Sequence, residues 1–179
     1  MATNQQIIDS GAKIYLVVTG GGSEVIPKIL TQGGASKFLA GAEVPYSGKA
    51  VLNFLGVNKV DKFCSEDIAR QLAVKAAEKC RLLTDWPKLR EGKATSYEYS
   101  RNEDCWGVAC SAALAKQGER KDRINHAFVA AHSYKGTFSD TVKFSHDWEP
   151  TEWEKQRNSQ EKELALYIIM FLNNLLEVK

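Results

Sequence analysis

Three consecutive glycines between an apolar run and a serine are the sharpest chemical feature of this 179-residue chain. In Thr19-Gly20-Gly21-Gly22-Ser23 the missing side chains let the backbone come close to a ligand. Amides at the start of a following helix would then point at that ligand and favour an anion. The motif is neither Gly-x-Gly-x-x-Gly nor a phosphate loop with Lys before its Ser or Thr. A tight turn in which Ser23 caps the helix accounts for the same residues equally well.

Other reactive residue types are sparse. His126, His132 and His146 are scattered, although His126 and His132 share a face if one strand carries both. Asp140 and Asp147 form no evident dyad with them, and no Gly-x-Ser-x-Gly elbow is present. Cys64, Cys80, Cys105 and Cys110 match no zinc spacing, so they read as buried structural thiols, all free. Cys105 and Cys110 are an odd number apart and fall on opposite faces of any strand they share. Neither a metal nor a cofactor is called for.

The elements that position these residues follow from pattern. Lys13–Thr19 is a short β-branched apolar run, read as a buried strand that enters the glycine turn. A helix follows, with Ser23 as cap, Pro27 in its first turn, and Ile26, Ile29 and Leu30 as its apolar face. Gly33-Gly34-Ala35-Ser36 ends it; a short helical piece at Lys37–Ala40 and a strand at Ala42–Ser47 come next. Residues 48–55 read as helix stopped by Gly56. Ser65 caps the next helix, whose Ile68, Leu72, Ala76 and Cys80 repeat at four, reaching about Leu83. Residues 84–104, rich in mixed charges with Tyr97 and Tyr99, read as a polar insertion or exposed hairpin. Trp106–Ala112 is a third strand, and Ile124–Tyr134 and Thr137–Ser145 form a hairpin about Lys135-Gly136. Thr151–Glu154 reads as a capping box opening a long terminal helix with Leu164, Ile168, Phe171 or Leu172, and Leu175 on its apolar stripe. Helices alternating with strands, then a late hairpin, predict an α/β fold: three α/β/α layers around a mixed sheet.

Bulk properties narrow the partners. Hydrophobic residues make up 44% and charged residues 26%, which excludes disordered and collagen-like classes. The net charge is +2, with basic and acidic residues interleaved as in Glu119–Arg123, so no nucleic-acid partner is expected. No apolar run reaches the ~20 residues of a membrane span, and the first residues lack the pattern of a secretory signal. A cytoplasmic, reducing location with no membrane partner is the expectation. A homo-oligomer is compatible with all of this.

The glycine turn taken with Gly34–Phe38, Val44-Pro45-Tyr46-Ser47, Leu55-Gly56-Val57 and Cys64-Ser65-Glu66 resembles the C-terminal domain of the competence/damage-inducible protein CinA. That family includes the nicotinamide-nucleotide amidohydrolases. The resemblance covers most of residues 13–178, as one domain spanning residues 1–179 with the insertion at 84–104 as an addition. It extends to Ser111–Ala131 and to the acidic, arginine-containing start of the last helix. The likeness implies a phosphorylated nucleotide, nicotinamide mononucleotide or a relative, as the small-molecule partner. Typical members end the first strand in Glu-Ser-Cys-Thr-Gly-Gly, with the serine as nucleophile; Gly20 stands at the serine position here and Thr19 at the glutamate position. The lysine that closes the family's Tyr-Ser-Asn-Glu-Ala-Lys segment is replaced by Val51, with Lys49 two residues away.

Three readings follow. In the first, a divergent amidohydrolase, Ser23 attacks, Tyr46 or Lys49 handles the proton, and the amides of Gly21 and Gly22 hold the oxyanion. In the second, Thr19, Gly20, Gly21, Gly22, Ser47 and Ser111 bind a nucleotide or phosphate and the hydrolytic step is lost. The third is a protein-interaction module with a vestigial pocket. Two substitution outcomes are expected on these readings: Gly20→Ser, alone or together with Val51→Lys, restores some turnover, and Gly21→Val obstructs the ligand more than it destabilises the fold.

Overall fold

The structure, a computed structural model, describes residues 4–84, 90–92, 105–145 and 148–177. Among these, five strands form one mixed sheet: β1 (Lys13–Thr19), β2 (Leu39–Glu43), β3 (Cys105–Ala113), β4 (His126–Ser133) and β5 (Gly136–Lys143). Their order is β2-β1-β3-β4-β5. β1 pairs in parallel with both β2 and β3, whereas β3, β4 and β5 pair antiparallel. The helices are α1 (Asn4–Ser10), α2 (Val25–Thr31), α3 (Gly48–Leu55), α4 (Glu66–Thr84) and α5 (Trp153–Glu177).

Strand alternation sends side chains into two cores. Ile14, Leu16 and Val18 of β1 and Trp106, Val108 and Cys110 of β3 pack with Ile7 of α1, Val25 and Ile29 of α2, and Leu164, Ile168 and Leu172 of α5. The intervening Tyr15 and Val17, with Cys105 and Ala109, pack with Val51 and Leu55 of α3 and Ile68, Leu72, Ala76 and Cys80 of α4. The expected α/β/α layering with a mixed sheet is therefore present. α4 rides directly on β3: a Cβ at Gly107 would lie 1.9 Å from the Ala73 carbonyl oxygen. At the far end of α4's sheet face, Glu43 accepts hydrogen bonds from the Tyr15 hydroxyl and the Lys79 ammonium. The Lys79 cation sits 4.5 Å from the Phe54 ring centroid, tying β2 to α3 and α4.

Several local expectations hold. Ser65 Oγ accepts the Ile68 N–H at 3.3 Å at the start of α4. Gly56, with φ 72°, stops α3. The hairpin turns at residues 134–135, and His126 and His132 share one face of β4.

Others are corrected. Ser23 does not cap α2; Glu24 holds that position without a side-chain bond, because the turn continues through Gly22 (φ 86°) and the Val25 N–H bonds the Gly22 carbonyl. On α2 the buried residues are Val25 and Ile29, while Leu30 is 54% exposed. The piece expected to be helical at Lys37–Ala40 is a 3-10 turn at Ala35–Lys37 that leads into β2, which ends before Pro45. Thr151–Glu154 is not a capping box: a 3-10 turn at Pro150–Glu152 precedes α5, with Glu149 at its cap position and no side-chain bond. The proposed insertion, apart from Thr84 at the end of α4 and residues 90–92, lies outside the described residues, as do His146 and Asp147. Among the described residues no helix is long and apolar enough to cross a membrane.

Candidate functional site

In parallel sheets ligands collect outside the carboxyl ends of the strands where the chain's winding reverses, which for this order is between β1 and β3. Thr19, the last residue of β1, lies in register beside Ser111 near the end of β3, both on the α3/α4 face. A cavity of about 300 Å³ opens there, at the small end of the range for ligand pockets. Its lining comprises Thr19 at the end of β1 and Gly20 after it, Tyr46 before α3, Gly48 and Val51 of α3, Phe63 and Cys64 before α4, and Ser111 and Ala112 of β3.

Each wall is held by a specific contact. Ser111, 1% exposed, donates its hydroxyl to the Phe63 carbonyl at 2.7 Å, and the Cys64 thiol donates to the Ser111 carbonyl at 3.6 Å. These bonds tie the loop between α3 and α4 to the end of β3. Ser47 accepts the Ala50 N–H at 3.1 Å and so caps α3. From the opposite layer, Arg157 of α5 donates to the carbonyls of Gly20 and Ala115 and to the Tyr46 hydroxyl, at 3.1, 3.1 and 3.4 Å. One turn later, Glu161 Oε2 accepts the Gly22 N–H at 2.7 Å.

The glycine turn is thus braced from within. An anion meant for the Gly22 amide would find the protein's own carboxylate already there, so the cavity lies beside the turn at Thr19 and Gly20. Gly20 has φ 75°, and a Cβ there would sit 1.9 Å from the Ala112 carbonyl oxygen. No side chain fits at that position, which removes the basis for restoring turnover by Gly20→Ser. Gly21 is buried, and a Cβ there would meet Leu114 Cδ1 at 2.4 Å, so Gly21→Val disturbs packing before it reaches the cavity.

The sequence-derived site residues separate accordingly. Thr19, Gly20, Tyr46 and Ser111 meet in the cavity. Ser23 and Lys49 are exposed and not among its lining residues; Ser47 serves as a cap. Gly20 and Val51, the two positions where the chain departs from the resembled family's serine and lysine, both line the cavity. Cys64, read as a buried structural thiol, is part-exposed and lines it too; Cys80, Cys105 and Cys110 are buried, and none of the four is joined to another in a disulfide. Burial pushes the Cys64 thiol up, against the hydrogen bond to Ser111 and the charges of Lys62 and Arg123, which favour the thiolate. It is therefore mainly protonated near neutral pH. Phe63, Arg157 and Glu161 were missed. The Arg157–Glu161 spacing of four, on a helix start already noted as acidic and arginine-containing, was the one available signal. Among the described residues no three His, Cys, Asp or Glu side chains cluster as a metal site.

The fold defines a class: a three-layer α/β/α domain with its crevice at the ends of two parallel strands. Solved structures similar to it include CinA superfamily proteins. One from Enterobacter cloacae has TM-score 0.68 and 15% identity over 96% of this chain and 86% of that one. One from Klebsiella pneumoniae has TM-score 0.68 and 12% identity over 98% and 94%. A competence/damage-inducible protein from Agrobacterium tumefaciens has TM-score 0.64 and 16% identity over 98% and 93%. The chain is a CinA-like domain in fold. By sequence, no family model and no curated protein matches it.

Proposed function

We propose that the cavity binds a small phosphorylated nucleotide, such as nicotinamide mononucleotide, without serine-dependent amide hydrolysis. The observation that carries this reading is the pairing of a retained crevice with two replaced side chains: Gly20 and Val51 line a cavity of about 300 Å³ that keeps Thr19, Tyr46 and Ser111. Amide hydrolysis by a covalent route needs a nucleophile and a group to take its proton. Gly20 offers neither, its surroundings admit no side chain, and the Cys64 thiol is held in its less reactive protonated form. Binding needs less: an apolar wall, a few hydroxyls and a favourable field. Val51, Phe63 and Ala112 supply the wall, Thr19 and Tyr46 the hydroxyls, and Arg157 bonded to Tyr46 contributes positive charge at the rim.

Thermal shift and calorimetry with nicotinamide mononucleotide test the reading, together with an ammonia-release assay. A ligand at 100 times its Kd adds about 2.7 kcal/mol, a readily measured rise in melting temperature. The expected result is a saturable shift, weakened by Tyr46→Ala, with no ammonia above background. Robust ammonia release abolished by Ser23→Ala would establish the amidohydrolase instead.

A further inference from the structure

We infer that Phe63 is a specificity-determining residue of this cavity, its ring receiving the flat face of a heteroaromatic base, so that the ligand class is a nucleotide and not a bare sugar phosphate. The inference rests on the nucleotide-binding reading above and deepens it. Phe63 is 43% exposed although it is one of the most apolar residue types, and it is one of the residues that line the cavity. Its position is fixed from both sides. The Phe63 carbonyl is held by the Ser111 hydroxyl at 2.7 Å, and the next residue, Cys64, is bonded to the Ser111 carbonyl. These two bonds anchor the backbone that carries the ring.

The ring also has a seat. It lies against the backbone of Gly48, where a Cβ would come within 2.9 Å of Phe63 Cζ and 3.2 Å of Cε2. Glycine at the first residue of α3 therefore admits the ring, although a side chain there would suit helix formation better. A second aromatic residue, Tyr46, lines the same cavity and is 65% exposed. A preformed, half-open aromatic surface beside hydroxyls is what base stacking uses, and stacking tolerates different bases because each has a π-face.

The test measures binding of nicotinamide mononucleotide, AMP and ribose 5-phosphate to the full chain and to Phe63→Ala, Phe63→Leu and Phe63→Trp. The wild type is expected to bind both nucleotides at least about tenfold more tightly than ribose 5-phosphate, the scale set by one stacked base. Phe63→Ala is expected to erase that difference, weakening both nucleotides about tenfold more than ribose 5-phosphate, and Phe63→Trp to keep it. Phe63→Leu retains an apolar contact with Gly48 without a flat ring, so it must behave like Phe63→Ala, and it serves if the alanine variant does not fold. Ribose 5-phosphate binding as tightly as the nucleotides, or an equal loss for all three probes in Phe63→Leu, overturns the inference while leaving a phosphate-binding cavity in place. No binding of any probe to the wild type overturns the nucleotide reading and the inference with it.

Discussion

Glu161 on α5 accepts the backbone N–H of Gly22 at 2.7 Å, across 139 residues of chain. The carboxylate side chain is only 13% exposed and stands 3.9 Å from Arg157. A hydrogen bond to a charged acceptor contributes about 1.5–3 kcal/mol, and removing the acceptor leaves the amide of a buried glycine without its partner. Glu161→Ala should therefore cost about 1.5–3 kcal/mol in urea unfolding, and Glu161→Gln, which keeps a neutral acceptor, distinctly less. An alanine variant within experimental error of the wild type would mean that α5 does not brace the turn.

Arg157 and Glu161 also set the outcome at Gly20. The residue has φ 75°, its carbonyl is held by Arg157, and a Cβ would overlap the Ala112 carbonyl at 1.9 Å. Left-handed strain in a non-glycine residue costs of order 1–3 kcal/mol before any overlap is counted. Gly20→Ser should lower stability by at least about 2 kcal/mol and should release no ammonia from nicotinamide mononucleotide. A stable, active serine variant would show that the turn can re-form around a nucleophile.

The same residues show how far the sequence could be read. Periodicity sufficed on the long α4, where Ile68, Leu72, Ala76 and Cys80 all pack inward, and at the buried strand Lys13–Thr19; on the short α2 it did not, since Leu30 is exposed. β2 was misplaced because Leu39-Ala-Gly-Ala-Glu43 contains no β-branched residue. Its strand state comes from parallel pairing with β1, where the Tyr15 ring covers Gly41 so closely that a Cβ there would lie 2.6 Å from Cε2. The candidate cavity was legible at Thr19, Gly20, Tyr46 and Ser111, which carry local motifs. Phe63 and Cys64 enter it from a loop, and Arg157 bonds its Gly20 and Tyr46 from a helix distant in sequence; non-local contacts of that kind leave no periodic trace.

Gly107 tests the layer that supports the site. A Cβ there would lie 1.9 Å from the Ala73 carbonyl oxygen and 2.2 Å from the Ala77 nitrogen. Both are backbone atoms of α4, so shortening a facing side chain gives no relief. Gly107→Ala should destabilise by about 3 kcal/mol or more, at the upper end for overpacking, or prevent folding. Gly118→Ala is the control: its φ is also left-handed, at 70°, but nothing lies within 4 Å, so it should cost only about 1 kcal/mol. Equal effects at the two positions would show that α4 can lift from β3 at little cost.

His132 gives the fold a dependence on pH. Burial, with the nearby Arg81 charge adding to it and Glu78 opposing it, holds its pKa below the ordinary value of about 6.5. Its Nδ1 pairs with Thr137 Oγ1 at 2.6 Å across the β4–β5 hairpin. The folded state disfavours the proton, so between the lowered pKa and about 6.5 the unfolded chain binds more protons than the native one, and stability rises with pH through that window. The contribution is complete above about pH 6.5 and is lost as pH falls toward the native pKa. His132→Gln retains a hydrogen-bonding partner for Thr137 and cannot titrate. Melting temperatures from about pH 8 down to about pH 5 should therefore fall more steeply in the wild type than in His132→Gln. The imidazole signals in NMR should titrate with a midpoint below 6.5. Parallel melting curves, or a midpoint at or above the ordinary value, would show that His132 is not the group responsible.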